Sequence, residues 1–218
     1  MTMRLKILEP QRPLLAPLLL ALPVVCVHVG CASQPGPQGE ANGNGGYRTI
    51  NAGPLRDTAA AREENNKGLA HLDAGELYQA EQAFKRAIKA DLEFGPAHNN
   101  LGKIYFLKRD FYLAAHEFDD AIKLMPRHAG PRNNLGLTLL EAGRLDDAID
   151  ALRQATTLDA STVEYQANLV RALVQRGDRT EEVVMLLRVV ATHDTRVQWR
   201  VWARHQLGAM GLDHSTAG

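Results

Sequence analysis

Cysteine is nearly absent from this 218-residue chain: Cys26 and Cys31 are the only two, so everything beyond residue 31 can hold neither a disulfide framework nor a cysteine-based zinc site. Charge of one sign is missing too. The 25 basic residues are matched by 25 acidic ones, which argues against a nucleic-acid or other polyanion binder. Long hydrophobic runs are lacking as well, since the apolar stretch Leu14 to Val27 falls short of the roughly 20 residues a membrane-crossing helix needs and is broken by Pro17 and Pro23. Catalytic signatures are also scarce. The serines are Ser33, Ser161 and Ser215, none in a Gly-x-Ser-x-Gly elbow, the eight histidines form no His-x-x-x-His pair, and no glycine loop ends in Lys-Ser or Lys-Thr. No enzyme activity, no cofactor and no metal site are expected from these absences. Proline is unevenly spread: seven of ten precede residue 58, leaving only Pro96, Pro126 and Pro131 to interrupt helices beyond it.

The proline-rich part has its own pattern. Arg4, Lys6 and Arg12, with Glu9 as the only acid among them, lead into the apolar run, a charged region and apolar core that read as an export signal. The sequence Val27-His28-Val29-Gly30-Cys31 resembles the lipobox of bacterial lipoproteins, with His28 where that family commonly has an aliphatic residue. The resemblance implies cleavage after Gly30, a diacylglycerol on the Cys31 thiol and an acylated amino terminus, together enough for firm anchoring; an ordinary signal cut nearby is the alternative. Residues 1–30 are thus expected to be the signal and 31–57 the anchor cysteine and a linker. This linker is rich in glycine and proline and too poor in apolar residues to bury a core, and its reach as a flexible tether is about 28 Å. Ala32 and Ser33 lack the Asp that retains such lipoproteins at the inner membrane, so the expected location is the cell envelope, membrane-anchored, with the outer membrane facing the periplasm favoured.

From residue 58 the dominant signal is an internal repeat of period 34. Gly68, Gly102 and Gly136 are in phase, as are Ala80, Ala114 and Ala148; Phe84, Phe118, Leu152 and Leu186; and Ala87, Ala121, Ala155 and Val189. Asn99-Asn100-Leu101-Gly102 and Asn133-Asn134-Leu135-Gly136 are identical, with Asn65-Asn66-Lys67-Gly68 a near copy. Within a unit, Leu101, Ile104 and Tyr105 and then Ala114, Phe118, Ala121 and Ile122 form two apolar stripes at helical spacing. A turn opens at Asp110, and Pro126 ends the second helix. No single pair could bury its stripe alone, so the units must stack.

These columns resemble the tetratricopeptide repeat family. The resemblance implies an all-α solenoid, a right-handed superhelix of antiparallel helix pairs. The expected repeats cover residues 61–94, 95–128, 129–162 and 163–196, with a capping helix at 197–210 supported by Val197, Val201, Ala203 and Leu207, and a disordered tail at 211–218. In the fourth unit the small positions become Val170 and Glu182, which predicts looser packing or a different packing angle there. Trp199 and Trp202 fall on the capping helix, either closing the array or standing out as a partner anchor.

By analogy with the family, the first helix of each pair lines a concave groove. Its expected residues are Asn65 and Leu69; Asn99, Lys103 and Phe106; Asn133 and Leu137; and Arg171, with Asn66, Asn100, Asn134 and Asn168 as a second column. An asparagine amide can donate to and accept from an extended peptide backbone, and similar ladders hold peptides in the repeats of O-linked N-acetylglucosamine transferase; bonding within the array itself is the equal alternative. With Lys103 but mostly Leu elsewhere, the groove lacks the converging cations of a two-carboxylate clamp. The implied partner is a protein or extended peptide, with no nucleic acid. Resemblance to small repeat lipoproteins that assist assembly of pili or secretins suggests the role, an adaptor for an envelope enzyme such as a peptidoglycan hydrolase being the alternative.

Overall fold

The computed structural model describes residues 56–212. The export signal, Cys31, most of the linker and residues 213–218 lie outside the described residues. Within them the chain forms α1 (Thr58–Asp73), α2 (Leu77–Ala90), α3 (Gly95–Leu107), α4 (Phe111–Leu124), α5 (Ala129–Glu141), α6 (Leu145–Leu158), α7 (Val163–Arg176), α8 (Glu181–His193) and α9 (Val197–Ala209). Each helix packs on the next, giving four antiparallel pairs and a closing ninth helix. The architecture is an all-α solenoid.

Local chemistry explains where the helices start and stop. Asp57 accepts a bond from the Ala60 amide at 2.9 Å, and Asp110 and Thr180 cap α4 and α8 in the same way, each supplying an acceptor to an otherwise orphaned helix N–H. The turn inside every pair needs a left-handed residue. Gly75, Gly143 and Gly177 take it at φ 76°, 78° and 96°, whereas Arg109 does so at φ 63°, with its guanidinium 5.3 Å from the Phe111 ring as partial compensation.

The small column lets the paired helices touch. A Cβ on Gly68 would lie 2.5 Å from the Phe84 ring, one on Gly102 2.7 Å from Phe118, and one on Gly136 2.5 Å from Leu152. Phe84, Phe118 and Leu152 are fully buried beneath them. The apolar interior runs from Ala80, Phe84, Leu101 and Ile104 at one end to a larger cluster spanning the third and fourth pairs and α9.

The fourth pair departs from the expected register. Val183, Leu187 and Val190 are completely buried, while Leu186 and Val189 are only partly so. Glu182 is exposed and pairs with Arg153 at 2.7 Å, so Val183 rather than Glu182 occupies the small position. The cause is a longer turn: Gly177 to Thr180 separates α7 from α8, against the three residues Ala142 to Arg144 between α5 and α6. Val197 and Val201 also leave the expected core. They are 59% and 58% exposed, and α9 is held by Ala203 and Leu207. At the other end Arg56 pairs with Glu93 at 3.1 Å and Asp57 caps α1, so both belong to the folded unit and not to the linker. Leu212 likewise packs on the last cluster. No helix among the described residues is long and apolar enough to cross a membrane.

Candidate peptide-binding groove

The first helices of the pairs, α1, α3, α5 and α7, touch one another in sequence, whereas no second helix makes comparable contact with another second helix. An array closer-spaced along one side curves toward that side. The first helices therefore line the inner face.

Both asparagine columns lie on this face and bond each other across the repeats. Asn100 donates to Asn65 Oδ1 at 2.9 Å, Asn134 to Asn99 Oδ1 at 3.0 Å, and Asn168 to Asn133 Oδ1 at 2.8 Å. Each pair is separated by 35 residues, so the second asparagine of one repeat always reaches the first of the preceding one. Asn65, Asn100, Asn133 and Asn168 are buried, where an unpaired amide would be costly. Asn66 is exposed and has no side-chain partner among the described residues. The ladder stops where Ala167 and Trp202 replace the next acceptor and donor. This is the array-internal arrangement, though each bonded amide retains a second N–H that its ladder bond does not use.

One turn further along the first helices comes the row Leu69, Lys103, Leu137 and Arg171, again 34 residues apart. Leu69 is 36% exposed, Leu137 and Phe106 partly so. Arg171 is held by Glu141 at 2.8 Å. Phe106 lies 6.0 Å from Phe111, and a 40 Å³ recess is bounded by Lys103, Phe106, Phe118, Asn134 and Leu137. Lys103 is exposed, yet partial desolvation by the wall around it pulls its ammonium below the usual lysine range.

Sequence reasoning missed one feature of this region. A cleft of about 560 Å³ beside Asn99 and Asn100 is bordered by Met125, His128, Asp159 and Tyr165, which come from the helix ends and turns rather than from the first-helix columns. The Gly130-Pro131 step at the start of α5, where only the Tyr165 hydroxyl comes within 4 Å of a hypothetical Gly130 Cβ, was the available signal of open space. Another cleft, of 240 Å³, is formed by Arg171, Gln198 and the two tryptophans expected to close the array or anchor a partner, Trp199 and Trp202. The two indoles meet edge-on at 5.5 Å, and Arg196 lies 4.7 Å over Trp199. Both tryptophans also pack against the last core cluster, so they close the array and line the cleft at once. Among the described residues no three His, Cys, Asp or Glu side chains cluster in a way that could hold a metal ion.

The fold and its inner face define a helical-repeat scaffold. The chain belongs to the tetratricopeptide repeat family, whose model matches residues 65–134 and 133–191. A TPR repeat-containing protein of Schizosaccharomyces pombe is 26% identical over 114 residues, 52% of this chain and 14% of that protein. The peroxisomal targeting signal receptor of Saccharomyces cerevisiae is 30% identical over 94 residues, 43% of this chain and 15% of that receptor. The chain thus spans only about a seventh of the length of these curated relatives. Among solved structures, YrrB, described as a TPR protein with an unusual peptide-binding site, superposes with a TM-score of 0.59 at 18% identity, covering 72% of this chain and 81% of that one. The first TPR domain of Spaghetti (RPAP3), bound to an HSP90 peptide, gives 0.56 at 17% identity over 58% of this chain and all of that one. At these identities the likeness shows the fold.

Proposed function

We propose that the chain is an exported scaffold, anchored in the cell envelope through a lipidated Cys31, whose inner face holds a segment of a partner protein during assembly of an envelope machine such as a pilus or secretin. The observation that carries the binding part is the continuous row of accessible side chains on the inner face, from Leu69 through Lys103, Phe106 and Leu137 to Arg171. The peptide-binding site described for YrrB and the HSP90 peptide bound to the first TPR of Spaghetti support peptide binding by such an array. The anchoring part rests on the lipobox resemblance alone.

A photo-crosslinking amino acid placed at Leu137 should trap a partner in the native host, and one at the exposed Lys123 on α4 should not. Capture from Lys123 but not Leu137 would exclude the groove. A second reading, an adaptor for an envelope enzyme such as a peptidoglycan hydrolase, is favoured by the Trp199/Trp202 cleft, and a crosslinker replacing Gln198 separates it from the first. For the anchor, Cys31→Ala should abolish acylation detectable by mass and release the protein from membranes; unchanged membrane association would contradict lipidation.

A further inference from the structure

Lys103 occupies an unusual electrostatic position. Lys67, Lys85 and Lys123 each hold a carboxylate within 2.8 Å, and Lys108 pairs with Glu81. Lys89 sits in the last turn of α2, where a cation complements the helix end. Lys103 has neither compensation: its one polar contact is Asn100 Oδ1 at a long 3.5 Å, and it stands a full turn before the end of α3. Arg171, the other cation of the row, is already engaged by Glu141. An exposed cation on an inner wall between Leu69 and Leu137, with no carboxylate of its own, favours a guest that brings the missing negative charge.

We infer that Lys103 is the specificity-determining residue of the groove and pairs with an internal Asp or Glu side chain of an extended partner segment, whose flanking apolar residues rest on Leu69 and Leu137. This inference rests on the groove reading above and adds the partner's chemistry. Neighbouring helices are spaced about 8–10 Å and an extended chain rises about 3.3 Å per residue with alternate side chains on one face, so the apolar residues that share the acid's face lie about two to four positions to either side of it, at even spacing. The guest is a side chain and not a chain terminus. The row continues past Lys103 in both directions, and its other cation, Arg171, is already held by Glu141 and so does not join Lys103 on a terminal carboxylate.

The test uses the full chain and a phage library of random dodecapeptides displayed with a blocked C-terminus, selected against wild type, Lys103→Glu and Leu137→Arg. Wild type should enrich Asp or Glu flanked by apolar residues, Lys103→Glu should switch that position to Lys or Arg, and Leu137→Arg should lose the peptides. An amidated synthetic peptide from the wild-type pool should bind about tenfold more weakly when its acid is changed to the amide, as measured by fluorescence anisotropy. Peptides that need Leu137 but show no acid preference, or a preference that survives Lys103→Glu, would overturn the inference and leave the groove reading standing. Peptides indifferent to Leu137→Arg, or no enrichment at all, would overturn both.

Discussion

Asn66 and Asn168 occupy the same column of the repeat, and the structure gives them opposite energetic roles. Asn168 is buried and donates to Asn133 Oδ1 at 2.8 Å, while Asn66 is exposed at the open end of the ladder. Truncating Asn168 to Ala removes a net contribution of about 1 kcal/mol for the hydrogen bond and leaves the buried Asn133 oxygen without its donor, a further penalty of about 1 kcal/mol or more. The substitution recovers about half a kcal/mol of helix propensity at most. The expected net loss is about 2 kcal/mol. For a domain of this size each kcal/mol shifts Tm by about 2–4 °C, so Asn168→Ala should melt about 4–8 °C lower. Asn66→Ala has the same propensity gain and no lost partner, and should stay within about half a kcal/mol of wild type. Thermal melts followed by circular dichroism make the comparison. Because repeat arrays open in segments, amide exchange should localise the loss to α7, α8 and α9. Equal melting temperatures for the two variants would refute the ladder as a structural device.

Two further substitutions test the packing and the electrostatics. Gly102→Ala places a methyl 2.7 Å from the Phe118 ring, which is buried and cannot withdraw; an overpacking cost of about 1–3 kcal/mol outweighs about 1 kcal/mol of helix propensity, so urea midpoints should fall, and a rise would contradict the close helix approach. His98 is buried with Glu117 Oε2 at 2.8 Å from its Nδ1 and the Leu92 carbonyl at 3.2 Å from its Nε2. Burial pulls the imidazolium down, but Glu117, the Leu92 carbonyl and Asp120 outweigh it and hold the pKa above its ordinary 6.5. The folded state therefore binds the proton more tightly than the unfolded one, and the stability this adds is complete below about pH 6.5 and lost as the pH rises through the folded value. His98→Gln should flatten that part of a pH-dependent denaturation series, and an unchanged slope would exclude His98 as its source.

The first three repeats were legible because each carries fixed marks. Glycine at 68, 102 and 136 and alanine at 80, 114 and 148 tolerate no larger side chain at a close helix contact, so they betray the phase. The fourth repeat carries Val170 in place of the glycine, and its second helix offers Val183, Val184, Leu186, Leu187, Val189 and Val190, an apolar run that suits more than one register. The longer Gly177 to Thr180 turn decides between them, and turn length has no signature in hydrophobic periodicity. The asparagine columns were visible for the same reason as the glycines, yet their mutual bonding was not, because it depends on the stagger between neighbouring first helices. One clue was present. The first column ends at Asn133 with Ala167 next, and the second ends at Asn168 with Trp202 next. Two columns that fail at a single junction are what a donor 35 residues beyond its acceptor requires.

The ladder also accounts for which inner-face residues remain for recognition. Three cross-repeat bonds pin α1 to α3, α3 to α5 and α5 to α7, limiting rotation of each first helix against the next. Leu69, Lys103, Leu137 and Arg171 lie one helical turn beyond the bonded asparagines on those same helices, so their positions are set before any partner arrives. A partner segment then loses its own conformational freedom without also having to order the groove, which favours affinity. Beyond α7 the pinning ends: α9 is held through Ala203, Leu207 and the tryptophans rather than by an amide bond. The preorganised stretch runs from Asn65 to Asn168, and Lys103 lies inside it, flanked by two leucines that cannot neutralise its charge.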